Sequence, residues 1–356
     1  MKNALKLLII VVIVSAFTVC ASADTVEDYI NDYEEIVPDE LRDMQSEIKN
    51  GRFDIAAFFE EVIGVISGRI PGAIGFLSAL LGLTLLMGSA GLLPDKLRGV
   101  TDSSLSALSA LFVGGIAASA FSEIVGAIDT VSSFFSGAVP ILCSITLAGG
   151  GVSGAAAQAA GMNTVLSVVG GGFIASLSLV SGFSLAMGLA VSLGGEGAAT
   201  VGKWSKGIFL WIFGIATALL MGTMSLQTLI SSSADSAAMR TAKYMASGYI
   251  PFVGGTVSAS LSTLAAGLSY VKGVVGASMI AVIFMLFLPP LVLALSYRLA
   301  LSVASGFAAL TGVCSAEKSF SSFRSFFDML IGVYCLCCIL FAFEIVLFIK
   351  SGVAVA

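Results

Sequence analysis

Few residues in this chain could do chemistry. Its 356 residues include no histidine, which removes the commonest general base and the commonest metal ligand. Of six cysteines, Cys20 lies in the leader described below, and Cys143, Cys314, Cys335, Cys337 and Cys338 lie in or beside apolar runs. Cys335 and Cys338 have the C-x-x-C spacing of redox and zinc sites, but the pair falls within a run apolar enough to cross a membrane. A buried cysteine packs there as a small hydrophobe. No catalytic, metal-binding or cofactor-binding residue is therefore assigned, and no cofactor is expected. Glu344 is the one carboxylate clearly inside an apolar run. Ionisable groups within membrane segments are presumed functional, yet Glu344 is six residues from Lys350, and an interfacial position fits equally well. Gln158 and Gln227 are weak candidates for polar links between helices.

The other candidate positions are places where an apolar helix would break. Proline removes an N–H and clashes with the preceding turn, and glycine tolerates positive φ and close backbone approach. Ser136, Gly137 and Pro140 form one such group, and Ser247, Gly248, Pro251 and Gly254 a second; Pro289-Pro290 interrupts a third run. Arg298 follows that run, at a helix end where snorkelling to the interface is expected. Irregular backbone at membrane depth is tolerated only inside protein or along a water-filled cavity. These positions are therefore expected to line a cavity or to kink a helix for packing. Gly149-Gly150-Gly151 and Gly170-Gly171-Gly172 are read as sites of close helix approach. They are not phosphate loops, since no strand precedes them and no Lys-Ser or Lys-Thr follows.

The elements that would position these residues are membrane helices. Hydrophobic residues make up 57% of the chain and charged residues 11%, against roughly 25% charged in soluble domains. Lys2 and Lys6, an apolar core from Leu7 to Val19, and Ala21-Ser22-Ala23 make a signal-peptide pattern over 1–23, and Asp24 would then lie outside the cytoplasm. Residues 24–69 read as an acidic extracytoplasmic arm of short amphipathic helices. Asp24 to Glu61 hold 13 acids and three bases, whereas 70–349 hold 9 acids and 10 bases. The arm fits an interaction segment or a solvated spacer equally. In its third helix, Asp54 would cap a face of Ile55, Phe58, Phe59, Val62 and Ile66. No basic patch points to nucleic acid.

A crossing needs about 20 apolar residues, and 70–93, 103–122, 164–186, 207–230, 273–297 and 329–349 supply them. Two stretches, 131–149 around Pro140 and 245–270 around Pro251, fit either a crossing or a re-entrant segment. The tract 299–314 is apolar but short and fits an interfacial helix. The positive-inside rule places Lys96 and Arg98 inside, then stops discriminating. Eight crossings put Arg240, Lys243, Arg298, Lys318 and Arg324 inside with them; six exchange Arg240 and Lys243 for Lys203 and Lys206. The fold class is all-α, a polytopic membrane helical bundle with six to eight spans over 70–349 and a tail at 350–356. Ser136–Pro140 parallels Ser247–Pro251, and Val168-Val169-Gly170 parallels Val274-Val275-Gly276. A duplication covering 103–195 and 207–300 would explain both matches, as would chance in a chain with 40 glycines. Three crossings per half would make such repeats inverted.

The signal peptide, the acidic arm and the Gly/Ser-rich multispan domain are followed by the run from Arg240 through Lys243-Tyr244 to Gly248-Tyr-Ile-Pro251-Phe-Val-Gly254. Then come the segment through Pro289-Pro290 and Ala294-Leu-Ser-Tyr-Arg298-Leu-Ala300. In this arrangement the chain resembles stage III sporulation protein AE of endospore-forming bacteria, over nearly its whole length and most specifically over 235–300. The resemblance implies a multi-pass subunit of a complex in the mother-cell membrane around the forespore. Its partners would be the other membrane subunits of that complex, with the lipid bilayer around it and a homo-oligomer compatible with the fold. That complex is viewed as a channel or feeding tube for late forespore development, and the family carries no enzymatic activity. The reading from another class is a secondary transporter for a small solute. An intramembrane enzyme is disfavoured, since no paired intramembrane carboxylates and no Ser–Lys arrangement are present.

Overall fold

The computed structural model describes residues 55–90, 94–192, 196–249 and 254–351. The leader, the arm as far as Asp54, Pro251 and the tail beyond Ser351 lie outside these residues. Every described element is helical: α1 (Ile55–Ala90), α2 (Asp95–Ala148), α3 (Val152–Ser167), a π-helical segment Val168–Phe173, α4 (Ile174–Ser192), α5 (Glu196–Tyr249), α6 (Gly254–Leu310) and α7 (Cys314–Lys350). α3, the π segment and α4 run on as one rod, so six rods are long and apolar enough to cross a membrane. The chain is an all-α, multi-pass membrane bundle. Its many hydroxyls do not oppose this. Ser144 donates to the Pro140 carbonyl at 2.8 Å, Thr164 to Ala160 at 2.7 Å and Ser278 to Val275 at 2.8 Å. Such bonds satisfy the hydroxyl within its own helix, so it presents no unpaired donor to an apolar surrounding.

The rods are longer than the apolar runs suggested. The stretches 103–122 and 131–149 are parts of one helix, α2, with Pro140 inside it. Ser136 and Pro140 are exposed and Gly137 half-buried, so the carbonyl that loses its partner can tilt outward without breaking the helix. Ser136–Pro140 is therefore not an interruption. Pro289 and Pro290 also lie inside a continuous helix, α6, which neighbours enclose. The stretch 245–270 is divided between the end of α5 and the start of α6, and 299–310 continues α6 rather than forming an interfacial helix. From Ile55 the third arm helix and the run from Ile70 to Ala90 merge in α1 with Pro71 inside. On its arm portion Val62 packs against the core while Ile66 is 39% exposed.

Successive rods alternate in direction. At one end a Cβ on Gly88 would lie 3.7 Å from Val313, and Ser106 Oγ donates to the Ser192 carbonyl at 2.7 Å. Gly312, at φ 74°, turns the chain from α6 into α7. At the other end Gly150, at φ 81°, turns α2 into α3, and a Cβ there would meet Met239 of α5 at 3.1 Å. These are called the Val313 end and the Ser351 end. α5 and α6 continue past the α2–α3 turn at the Ser351 end, by ten residues beyond Met239 and fourteen before Leu268. That is about 15–20 Å of helical hairpin.

Both 103–195 and 207–300 make one rod toward the Ser351 end and one back. Two crossings leave both stretches with the same sense, so the inversion expected from three crossings is absent. The matched residues also differ in setting. Pro140 is inside a helix, and Pro251 is outside the described residues. Gly170 has open space around it, while Gly276 is pressed against Ile349.

The centre is α6 against α7. On α7 a line of aromatics at seven-residue spacing, Phe320, Phe327, Tyr334, Phe341 and Phe348, is at most 1% exposed. Phe287 of α6 packs on Tyr334 with ring centroids 4.7 Å apart, and Phe135 of α2 on Phe341 at 4.6 Å. Beside that line runs a second, Phe323, Leu330, Cys337, Glu344 and Ser351, also buried.

Candidate functional site

Three groups of polar side chains lie among the rods. The first is at the Ser351 end and begins with the start of α3. The first N–H groups of a helix have no partner in their own helix, and those of α3 are enclosed by α5. Asp235 of α5, 5% exposed, supplies the missing acceptor. Ser153 N–H donates to its Oδ1 at 2.9 Å and Gly154 N–H to its Oδ2 at 2.6 Å. A carboxylate at a helix N-terminus is also favoured by the helix dipole. The Lys272 ammonium of α6, 4% exposed, lies within electrostatic reach of Asp235. Lys272 Nζ donates to the Ser351 carbonyl at 3.0 Å and to Ser351 Oγ at 3.4 Å, and lies 5.4 Å from the centre of the Phe348 ring. The ammonium thus completes the C-terminal end of α7, where the dipole favours a cation. An acid closes one helix start and a base one helix end, side by side.

The second group lies deeper, along one face of α3. Gln158 is 6% exposed and meets Thr146 of α2 at 3.0 Å. One turn further, Gly161 faces Glu344 of α7, and a Cβ on Gly161 would come within 2.6 Å of Glu344 Oε1. Glu344 is 3% exposed, its Oε2 is buried without a hydrogen-bond partner, and so is the Gln158 Nε2 position. Glu344 is therefore inside the bundle, not at its interface with water.

The third group is toward the Val313 end. Asp328 of α7 receives Lys206 of α5 at 2.6 Å and Arg298 of α6 on its other oxygen. Arg298 does not snorkel from a helix end. It sits twelve residues before the end of α6, because α6 continues past the apolar run, and Asp328 holds it. Between the second and third groups Arg69 of α1 and Glu123 of α2 pair at 2.7 Å, each about one-third exposed (37% and 34%). A cleft near the Val313 end is lined by Ser184, Glu317, Lys318, Ser321, Ser325 and Phe326 among others.

The positions singled out from sequence fare differently. Ser136, Gly137, Pro140, Pro289 and Pro290 lie inside continuous helices. Ser247 and Gly248 are in the last turn of α5, Gly254 opens α6, and Pro251 lies outside the described residues. Gly170, Gly171 and Gly172 make no close approach to another helix. They form half of the π segment, and a Cβ added at any of them would meet nothing within 4 Å. Gln158 is a link between helices, whereas Gln227 is exposed. The five cysteines outside the leader are free thiols. Among the described residues no cluster of three metal-ligating side chains exists. Sequence reasoning missed Asp235, Lys272 and the Lys206–Asp328–Arg298 group. The available signal was position, because each of the last three directly abuts an apolar run.

The arrangement offers buried carboxylates and ammonium groups that join rods. The family model for stage III sporulation protein AE matches residues 41–352, nearly the whole chain. Comparison with curated proteins and with solved structures finds no match.

Proposed function

Because the chain belongs to the stage III sporulation protein AE family, we propose that it serves as an integral membrane subunit of the channel complex joining mother cell and forespore, needed for late forespore development. The family match carries this reading, and the six apolar rods give it a physical basis. In the proposed orientation the Val313 end faces the mother-cell cytoplasm. Lys96, Arg98, Lys203, Lys206, Arg298, Lys318 and Arg324 lie toward that end, against Arg240, Lys243, Lys272 and Lys350 toward the other, in the sense of the positive-inside rule. The acidic arm and the α5–α6 hairpin then face the space between the two membranes, where the partner subunits would meet them.

The test is a deletion strain complemented with a tagged chain. Forespore development should stall without the chain, and the tagged chain, solubilised gently from sporulating cells, should bring other stage III membrane subunits with it. Normal spores from the deletion strain would refute the proposal. Buried Glu344, Asp235 and Lys272 favour the second reading, a solute carrier, because carriers use such groups for coupling. Gradient-driven solute accumulation by the purified chain alone in proteoliposomes would select it.

A further inference from the structure

The Thr146–Gln158 contact fixes more than a helix link. A threonine hydroxyl has one proton. Thr146 Oγ1 lies 2.9 Å from the Leu142 carbonyl and 3.0 Å from the Gln158 side-chain amide. The Gln158 oxygen could also take that proton, but the amide nitrogen would then be buried without an acceptor; giving the proton to the Leu142 carbonyl avoids this. The Gln158 group facing Thr146 must then be the donor, its NH2, since the two ends of an amide are assigned from the hydrogen-bond network. Turning the amide this way satisfies the nitrogen and puts the Gln158 carbonyl oxygen at the buried position that has no partner.

That leaves two buried acceptors without a donor. One is the Gln158 carbonyl oxygen and the other is Oε2 of Glu344. Gln158 and Gly161 are three residues apart on α3 and so share a face, and Glu344 is seated on Gly161. A bare carboxylate there would be a charge removed from water with nothing to offset it.

The charged and titratable groups on the surrounding rods do not supply the offset. α3 and α4 carry none, and α2 brings Cys143, whose thiol points at the Ala155 carbonyl at 3.6 Å. On α5 the acid toward this end is Asp235, committed to the α3 N-terminus, while Arg240 and Lys243 lie beyond it and Lys203 and Lys206 toward the far end. On α6 the base toward this end is Lys272, committed to Ser351, and Arg298 is bound to Asp328. α7 itself brings Cys335, Cys337 and Cys338 on one side and Lys350 at its end.

We propose that Glu344 and Gln158 form a binding site for a single monovalent cation within the bundle, a proton or an alkali ion taken up by the Glu344 carboxylate beside the neutral Gln158 oxygen. Uptake of a proton forms an O–H bond on Glu344 as one O–H bond of a hydronium ion breaks and leaves water. Gly161 belongs to the site because no side chain fits between α3 and the carboxyl group. With the cation bound, α3 and α7 pack as described; without it, the carboxylate draws water and separates them. The site is independent of any role in sporulation.

The experiment uses the purified full chain in detergent. Infrared difference spectra between this chain and Glu344→Gln should show a protonated-carboxyl band that disappears in the variant and fades as pH rises. In parallel, a hydrophobic carbodiimide, which reacts with protonated buried carboxyls, should modify the peptide carrying Glu344 in the unaltered chain, more slowly at higher pH. Sodium chloride replacing choline chloride separates the two ions: slowing identifies an alkali ion competing for the carboxylate, and no effect identifies the proton alone. Gln158→Leu, which removes the neutral oxygen, should shift both pH profiles. A carboxyl band that is absent or insensitive to pH, together with no pH-dependent labelling of Glu344, overturns the proposal. So does a Gln158→Leu variant whose profiles match those of the unaltered chain.

Discussion

Asp235→Ala should loosen the bundle more than any surface change, and Gly154 shows why. Asp235 accepts two N–H bonds at the start of α3, at 2.9 and 2.6 Å. Hydrogen bonds to a charged group contribute about 1.5–3 kcal/mol each, and truncating one partner of a buried charged pair costs about 3–5 kcal/mol. Asp235→Asn keeps one acceptor oxygen and should cost roughly half of that. Gly154→Ala gains about 1 kcal/mol of helix propensity. Its new Cβ, however, would lie 2.9 Å from Asp235 Oδ2, and such crowding typically costs about 1–3 kcal/mol. Gly154→Ala should therefore destabilise the native chain yet stabilise the Asp235→Ala chain, where only ordinary contacts to Thr146 at 3.5 Å and Ser351 at 3.9 Å remain. The coupling between the two sites should reach about 2 kcal/mol with reversed sign, within the range for contacting residues. Cys337 is 0% exposed, so its thiol reactivity, as the sole cysteine, reports unfolding as denaturing detergent is titrated. If Gly154→Ala has the same effect in both backgrounds, or Asp235→Ala changes stability by less than about 0.5 kcal/mol, the capping role is wrong.

The same titration should report the two other ion-paired groups. Asp328→Ala, which strands Lys206 and Arg298, and Glu123→Gln, which strands Arg69 at membrane depth, should each cost about 3–5 kcal/mol. Gly276→Ala should destabilise because its Cβ overlaps Ile349, whereas Gly171→Ala, with nothing within 4 Å, should gain up to about 1 kcal/mol; equal effects would refute the packing argument. In a cysteine-free chain, a cysteine at exposed Val152 should react with an impermeant thiol reagent from outside the mother-cell cytoplasm, and one at Thr311 only after the membrane is breached. The reverse pattern would invert the proposed orientation.

How much of this was legible depended on which residues were asked. Apolar length found every rod, because twenty consecutive apolar residues leave few other options. It failed on rod ends because proline was weighted too heavily. Pro140 sits on an exposed face where the helix can absorb it, and sequence reveals the proline but not the face. Glu344 was singled out, but the choice between an inward and an interfacial position was legible and was not made. The line Phe323, Leu330, Cys337, Glu344, Ser351 repeats every seven residues beside the aromatic line, so Glu344 falls at an inward position whatever its distance from Lys350. Asp235 was not legible, since its partners are backbone N–H groups 82 and 81 residues away, and nothing in a sequence marks an acceptor for a helix start elsewhere.

The charges that bound the apolar runs also fix a depth. Lys206 precedes 207–230, Arg298 follows 273–297, and Asp328 precedes 329–349; the fold brings these three together. Lys272 precedes 273–297 and meets Ser351, just beyond 329–349. Two charged layers therefore close the same apolar slab from opposite sides. Along α7 the slab runs from Asp328 to Ser351, 23 residues, or about 34 Å, close to the roughly 30 Å of a hydrocarbon core. On this measure the start of α7, with Glu317, Lys318 and Arg324, stands outside the slab at one side, and the α5–α6 hairpin stands outside at the other. α1 is the exception that tests the assignment. Phe76 packs on Tyr297, beside the Asp328 layer, with ring centroids 5.1 Å apart, and Arg69 lies two turns from it toward the Ser351 end. That puts the Arg69–Glu123 pair about 10 Å inside the slab. Its two charges offset each other, as ionisable residues at such depth do, and they occupy the α1–α2 flank rather than the enclosed α6–α7 centre.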